Sequence, residues 1–343
     1  MGKLPDQVGL DFGHHSVKAV QLRNIDSKNP ELVTFGSQPT PHGVINSEDK
    51  SHQKKLTDAL KELFASTKFR SKNVVMAMPE YSVFTRFLEY VGVKDNELKS
   101  AVYYDAKQYI PIPIDEVHMS FIKVGYDPDR KAQKVLLVAA PKKILDIYID
   151  VAVNAGLNPL AIETESIAMG RAMYRATGKS SLMMLDFGSQ STDMSIMNEG
   201  HLVFSQSISI GSDSLTQAIV NKFNFEYNQA EEYKRNYGLV ENMVEGKIYG
   251  AIKPVIDSIV TEARRGMEFY KSSTLLTLPK ECLLNGDGAL LPGLSEYLSE
   301  SISVSCSIAD PFMNIKVDEK SLKIIERSKP SFSVAVGLAL RNK

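Results

Sequence analysis

The chain has no tryptophan, two cysteines among its 343 residues, and no excess of either charge. Its 40 basic and 41 acidic side chains give a net charge of −1, which argues against a broad basic surface for nucleic acid or anionic lipid. The two cysteines, Cys282 and Cys306, lack the spacing of metal ligands and are typical of a reducing compartment. With 43% hydrophobic and 24% charged residues, the composition is that of a globular protein. Its length predicts about two domains.

Long apolar runs are also missing. The longest uninterrupted aliphatic stretch, Val135 to Ala140, is far shorter than the roughly 20 residues of a membrane-spanning helix. The N-terminal segment lacks the apolar core of a signal peptide, and Asp6 stands where a myristoylation signal has serine or threonine. The sequence therefore predicts a cytoplasmic protein that does not insert directly into a membrane.

A short motif occurs twice, 175 positions apart. Leu10-Asp11-Phe12-Gly13 returns as Leu185-Asp186-Phe187-Gly188, and in each copy a serine follows after two further residues. Each copy is followed by two predicted strands joined by a turn, at 17–23 and 31–35 in the first copy and at 194–197 and 201–210 in the second. An amphipathic helix comes next in both. The repeat therefore predicts a duplicated α/β protein.

The segment between the copies has a different pattern, strand-helix-strand-strand-helix. We expect its first helix to be capped by Asp95 and its second to end at Gly156. In the later helical region, Pro254 either kinks a long helix or marks its first turn. The predicted domains are a first lobe (1–80 and 161–180), an α+β insert (81–160) and a second lobe (181–343) with a mainly helical part at about 213–280.

The first copy of the motif has the residue types of a phosphate-binding turn. Gly13 lets backbone N–H groups approach an anion, Ser16 can donate a hydrogen bond to phosphate, and Lys18 carries a positive charge. Asp11, at the end of a strand, can hold Mg²⁺ through water. An ordinary hairpin turn with a capping aspartate and an exposed lysine explains the same residues, and for one copy alone it is the better interpretation.

The second copy makes nucleotide binding the better interpretation. It supplies a matching carboxylate and a hydroxyl-rich turn, so that two facing hairpins would hold a triphosphate from both sides, with Mg²⁺ near Asp11 and Asp186. A third glycine-containing turn follows the apolar run 282–284, although by itself it is equally typical of a strand-to-helix connection. No stretch fits the pattern GxxxxGK[ST], so a Walker-type loop is excluded. The second turn comprises Asp186, Gly188, Ser189, Gln190, Ser191 and Thr192, and the third Gly286, Asp287, Gly288 and Ala289.

The three turns, in this order and at these distances, resemble the first phosphate, second phosphate and adenosine segments of the actin-like ATPase superfamily. The sequence is more similar still to the PilM family of type IV pilus assembly proteins, relatives of the division protein FtsA, over nearly the whole chain. The stretch Gln108-Tyr109-Ile110-Pro111 and the long turn from Gly286 to Leu294 are the discriminating features, because actin-like sugar kinases and chaperones have nothing similar. The resemblance implies an α/β, actin-like (ribonuclease H-like) two-lobed fold with an FtsA-type (SHS2) insert.

The resemblance also implies ATP or ADP and Mg²⁺ as ligands. Where the family usually has hydroxyls this chain has His14 and His15, and where it usually has glycine this chain has Asp287 and Ser212. Phosphate contact at the first turn would then rely more on backbone N–H groups. Glu262 and Arg265 would either face the nucleoside or pair with each other, and the sequence supports both equally. The positions that match the family's motifs are Asp11, Gly13, Ser16, Lys18, Asp186, Gly188, Thr192, Gly211 (near the ribose), Gly286, Gly288 and Ala289.

Hydrolysis would need a general base or a water-positioning group near the connection between the lobes. Glu163 and Glu165 are the candidates. Acidic residues in a first helical turn also suit the helix dipole, which is the slightly better interpretation. We therefore expect the nucleotide to be a structural or switching ligand with at most slow hydrolysis.

The resemblance implies a protein held at the inner membrane through a partner. PilM proteins hold the cytoplasmic N-terminal segment of PilN in a groove between the insert and the first lobe, near other pilus platform and motor proteins; self-association stays open. One alternative is an FtsA-like division protein, disfavoured because the sequence from Gly337 to Lys343 is too short for that family's linker and amphipathic helix. A small-molecule kinase of the same fold is the other, and it lacks a convincing base beside a sugar pocket.

Overall fold

The computed structural model describes residues 7–274 and 277–342, which form thirteen strands and ten α-helices within those ranges. The strands are β1 (Val8–Phe12), β2 (Ser16–Arg23), β3 (Glu31–Pro39), β4 (Asn73–Met78), β5 (Phe84–Val91), β6 (Val117–Asp127), β7 (Ala132–Pro141), β8 (Asn158–Thr164), β9 (Leu182–Phe187), β10 (Thr192–Asn198), β11 (His201–Ile208), β12 (Glu281–Asn285) and β13 (Ser305–Ile308). The helices are α1 (Lys50–Thr67), α2 (Asp95–Tyr109), α3 (Lys142–Asn154), α4 (Glu165–Thr177), α5 (Ser212–Phe223), α6 (Tyr227–Tyr237), α7 (Lys247–Thr274), α8 (Leu294–Ile302), α9 (Glu319–Ile325) and α10 (Ser333–Ala339).

Two five-stranded sheets share one topology, and each contains one copy of the repeated motif. The first has the order β3-β2-β1-β4-β8 and the second β11-β10-β9-β12-β13. In both, the first three strands form an antiparallel meander and the last two run parallel to the motif strand. The motif strands are buried because helices cover both faces of each sheet, as their apolar sequences require. The predicted duplication and the predicted meander strands are confirmed, with small shifts at the strand ends.

The helix α7 spans the second lobe as one continuous element. Its apolar residues recur at helical spacing and join the core of that lobe, as at Ile248, Ile252 and Ile259. Pro254 lies inside this helix, well beyond its first turn, so the prediction that it marks the helix start is wrong.

A three-stranded antiparallel sheet, in the order β5-β7-β6, interrupts the first half of the chain. Helix α2 packs on one face of it through Leu98 and Val102. The predicted cap of this helix is wrong: Lys94 is the N-cap, and the Asp95 side chain instead pairs with Lys123 at 2.7 Å.

Helix α3, which follows this small sheet, packs in the core of the first five-stranded sheet. Tyr148 and Val151 lie beside Leu10 and Leu60 there, and β8 pairs with β4. The division of the chain at 80, 160 and 180 stays a prediction, and this packing joins 142–164 to the first sheet.

The last helix, α10, returns from the second lobe to the first. It lies against β1 and α4, and a Cβ atom placed on Gly337 would come within 1.8 Å of the Ala168 carbonyl oxygen. A Cβ atom on Gly9 would meet the Ala335 carbonyl oxygen at 2.1 Å. Only glycine permits so close an approach of backbones, so the two lobes are joined by a tightly packed pair of helices.

None of the helices in residues 7–274 and 277–342 has both the length and the apolar character that crossing a membrane requires.

Candidate functional site

A cleft lies between the two five-stranded sheets. The ends of the two motif strands line it, one from each sheet, and so does the turn after β12. The structure thus brings together the three turns that the sequence singles out. The predicted residues that line the cleft are Asp11, Gly13, His14, His15, Lys18, Glu165, Asp186, Gly188, Ser189, Gln190, Ser191, Gly286 and Asp287.

The two motif turns have matching local geometry. A Cβ atom on Gly13 would lie 2.8 Å from the Ser16 carbonyl oxygen, and one on Gly188 would lie 3.0 Å from that of Ser191. The Gly188 N–H donates to the same Ser191 oxygen at 2.9 Å. Both glycines are therefore needed for a hairpin tight enough to turn its backbone toward the cleft.

Buried carboxyl groups dominate the electrostatics of the cleft. Burial raises the pKa of Asp11 to about 6, although the nearby Lys18 opposes the shift. Burial, followed by the charges of Asp193 and Asp11, raises the pKa of Asp186 to about 8. The pKa of Asp193 is raised to about 7, again mainly by burial. Ionising these carboxyl groups in the cleft is costly. A bound cation would offset their negative charge and so stabilise their ionised forms.

The donor set fits a divalent cation held through water. Among the described residues, no group of three or more His, Cys, Asp or Glu side chains is arranged to ligate a metal ion directly. One carboxyl oxygen of Asp11, Oδ1, is buried and has no hydrogen-bond partner. Mg²⁺ keeps much of its hydration shell, so paired carboxylates that face a cleft suit it.

Four of the predicted residues support the turns from behind. The Thr192 hydroxyl is fully buried and donates to the Ile210 carbonyl oxygen at 2.8 Å. A Cβ atom on Gly211 would lie 2.4 Å from the Ser189 carbonyl oxygen. Gly288 packs on the Phe187 ring, and Ala289 is buried in the core of the second lobe.

Two other predicted residues lie outside the residues that line the cleft. Arg265 donates to Glu262 at 2.5 Å, and its side chain is 72% exposed. In the structure, Glu262 and Arg265 therefore form an ion pair with each other, which is the second of the two interpretations of the sequence.

Ser16 lies on a second cleft, between β3 and α9, on the other side of Lys18. Its hydroxyl is therefore separated from the cleft between the sheets.

The two glutamates at the connection between the lobes have different environments. Glu163 accepts from Arg171 at 2.6 and 2.8 Å and from Arg341 at 2.5 Å, and its side chain is only 6% exposed. It lies at the end of β8, outside the cleft, so we no longer regard it as a candidate base.

Glu165 is the first residue of α4 and does line the cleft. It accepts a hydrogen bond from the Glu80 N–H at 3.1 Å. Burial, followed by the charges of Asp11, Asp193 and Asp186, raises its pKa well above the usual value. The surroundings of Glu165 therefore favour its protonated form, and a positive charge entering the cleft would favour the ionised form.

Sequence reasoning missed residues that reach the cleft from other elements. Tyr81, just after β4, meets His14 with its hydroxyl 3.0 Å from Nε2. Asn46 donates to the same hydroxyl at 3.0 Å and accepts from Tyr148 at 2.9 Å. No local sequence pattern predicts this series of hydrogen bonds, because the residues that form it come from separate segments. Asp193 had a usable signal, since it directly follows the predicted Thr192.

A second missed group supports the turn at the start of α5. The buried Lys234 ammonium donates to the Ser212 carbonyl oxygen at 3.1 Å and to the Ser212 hydroxyl at 2.6 Å. It also pairs with Glu231 at 2.6 Å. This network fixes the segment that follows Gly211.

We expect the protein without added ligand to be less stable at pH 9 than at pH 7. The folded-state pKa values of Asp186 and Asp193, about 8 and about 7, exceed those of unfolded aspartate, so ionising them in this range costs more in the folded state. The loss should be roughly 1–3 kcal/mol, measured by urea unfolding at each pH. Asp186→Asn should reduce the loss; an unchanged pH dependence in that variant would refute the assignment.

Comparisons with known proteins extend over nearly the whole chain. Residues 9–343 match a protein family described as "Type IV pilus assembly protein PilM". The cell division protein FtsA of Enterococcus hirae is 24% identical over 367 residues, which cover 91% of this chain and 79% of that protein.

Among solved structures, a chain of the "PilM-PilN type IV pilus biogenesis complex" is 27% identical, covers 98% of both chains and has a TM-score of 0.87. MreB5 of Spiroplasma citri bound to AMPPNP is 14% identical, covering 98% of this chain and 95% of that one, with a TM-score of 0.54. The second likeness shows the fold alone. Together they confirm the predicted actin-like fold.

Proposed function

The chain belongs to the family of the type IV pilus assembly protein PilM, and on that basis we propose that it is an ATP-binding, actin-like scaffold of the pilus machine. The observation that carries the proposal is the likeness, over 98% of both chains, to a chain of the PilM–PilN complex. On this proposal the chain clamps the cytoplasmic N-terminal segment of PilN between its insert and its first lobe. It would thereby sit at the cytoplasmic face of the inner membrane, linked to other platform and motor proteins.

The proposal assigns the cleft between the sheets to ATP or ADP with Mg²⁺. The backbone N–H groups of the Gly13 and Gly188 turns would bind phosphate oxygens, and Lys18 would supply the positive charge. Asp11 and Asp186 would hold Mg²⁺ through water. When bound, the ion neutralises phosphate and carboxylate charge that the cleft otherwise disfavours. The buried support residues behind the turns keep this arrangement fixed.

We propose at most slow hydrolysis of the nucleotide. Glu165 faces the cleft, but its raised pKa disfavours the ionised form that could accept a proton from water. Only when cationic charge lowers that pKa would the carboxylate orient or activate a water molecule. We therefore propose that the nucleotide is mainly a structural or switching ligand.

We expect a synthetic peptide with the N-terminal sequence of the cognate PilN to bind this chain and raise its melting temperature. A ligand at 100 times its Kd adds about 2.7 kcal/mol to the free energy of unfolding, which gives a readily measured shift. Calorimetry would give the stoichiometry, expected to be one, with a scrambled peptide as the control. Folded protein that shows neither heat nor a melting shift with the cognate peptide would contradict the scaffold proposal.

An FtsA-like division function is the alternative, favoured by the identity to FtsA of Enterococcus hirae over 91% of this chain. FtsA-like proteins attach to membranes directly. Sedimentation of the chain with anionic vesicles in the absence of any peptide would favour this alternative.

A further inference from the structure

One ion pair crosses the cleft from the first lobe to the second. The Lys18 ammonium on β2 lies 3.0 Å from Oδ2 of Asp287, in the turn after β12. The Lys18 side chain is 9% exposed, and in the described part of the chain it is the only lysine or arginine that lines the cleft. The ammonium group that would bind a phosphate is thus already paired with the Asp287 carboxylate.

The same pair separates two clefts. Lys18, Asp287 and Ser331 line both the cleft between the sheets and the second cleft between β3 and α9. Ser16, predicted to contact phosphate, lies on the second cleft. Because the pair forms a shared wall, breaking it would join the two clefts and expose Lys18 to a ligand from either side.

The backbone around Asp287 holds its carboxylate in place. Gly286 has φ of +81°, and a Cβ atom there would lie 2.4 Å from Oδ1 of Asp186. The Gly286 N–H donates to the Pro330 carbonyl oxygen at 3.0 Å, and the next glycine, Gly288, packs on Phe187. The Asp287 side chain is 47% exposed; partial burial opposes its ionisation, yet Lys18 keeps the pKa of this carboxyl below its usual value. Asp287 therefore remains a charged partner of Lys18.

We propose that Asp287 is a built-in competitor for phosphate at Lys18, which keeps the two lobes in contact and weakens nucleotide binding. The inference rests on the proposed nucleotide site. A di- or triphosphate that reaches Lys18 must displace Asp287 or share the ammonium with it, and it then lies beside a third carboxylate in addition to Asp11 and Asp186. Nucleotide binding is thereby coupled to the loss of a contact between the lobes.

Asp287→Asn tests the competition because it removes the charge and keeps the size. We expect this variant to bind Mg–ADP and Mg–ATP at least about tenfold more tightly than the unmodified chain, measured by calorimetry. Asp287→Glu, which retains the charge, should bind like the unmodified chain. Asp257→Asn is the matched control, because it breaks the Lys253–Asp257 ion pair on α7. Equal or weaker binding by Asp287→Asn would overturn the inference, and a large loss would indicate that Asp287 helps to hold the ligand.

Hydrogen exchange without nucleotide gives an independent readout. In Asp287→Asn, amides at 13–18 and 286–290 should exchange several-fold faster, because the contact between the lobes is lost. Unchanged exchange would overturn the role of the ion pair in holding the lobes. If neither protein binds any nucleotide, the proposed function itself fails, and the exchange result alone decides whether the pair joins the lobes.

Discussion

Replacing Asp11 or Asp186 with alanine should lower the affinity for Mg–ATP at least about 100-fold, or about 2.8 kcal/mol, while the fold is retained. The two carboxyls end equivalent strands on opposite sides of the cleft. If Mg²⁺ is held between them through water, removing either one leaves the ion with half of its anionic support. Without nucleotide, each variant should be at least as stable as the unmodified chain near pH 8, because a buried acidic group is lost.

Two controls make this result interpretable. Glu262→Ala removes a carboxylate that pairs with Arg265 away from the cleft, so it should leave the affinity unchanged. Asp186→Asn keeps the size of the side chain and should lose affinity nearly as strongly as alanine. Retained binding in both aspartate variants, with calorimetry on folded protein, would refute the metal assignment.

Replacing Glu163 with alanine should destabilise the protein by about 3–5 kcal/mol without a specific effect on nucleotide affinity. The glutamate neutralises Arg171 and Arg341, whose side chains are 28% and 26% exposed. Arg171 also donates to the Gly337 carbonyl oxygen at 2.7 Å, at the crossing of α4 and α10. The alanine variant would leave two partly buried guanidinium groups without their carboxylate at the junction of the lobes.

Urea unfolding measures this loss. Glu268→Ala is the matched control, since its ion pair with Lys271 on α7 is exposed and should be worth less than about 1 kcal/mol. Glu165→Gln should cost little in the absence of nucleotide, because burial raises the pKa of Glu165 and so favours its neutral form, which glutamine resembles. A loss below about 1 kcal/mol for Glu163→Ala would contradict the structural role assigned to Glu163.

The duplicated sheets and the three turns could be predicted from the sequence because their signals are local. Glycine and aspartate at fixed spacing after an apolar run specify a tight turn at a strand end, whatever the rest of the chain does. Two copies of that signal then predict two equivalent sheets. The ends of the helices were harder to predict. Asp95 has the residue type of an N-cap, but its side chain pairs instead with Lys123, which is distant in the sequence.

Long-range packing decided what the sequence could not. The sequence does not indicate that α3 joins the first core, that α10 returns to the first lobe, or that Lys18 meets a residue 269 positions away. The motifs also identified positions without showing which of them line the cleft. Gly13 and Gly188 line it, whereas Thr192 and Gly288 support the turns from behind.

The central claim is that the two motif turns form one nucleotide site with a divalent cation. The most direct measurement is calorimetric titration of the purified, nucleotide-free chain with ATP, with Mg²⁺ and with EDTA. One ATP should bind per chain with Mg²⁺, raise the melting temperature, and bind at least about tenfold more weakly when the cation is removed, because the cleft concentrates Asp11, Asp186 and Asp193 near Lys18. No binding of ATP or ADP to folded protein in the presence of Mg²⁺ would contradict the claim.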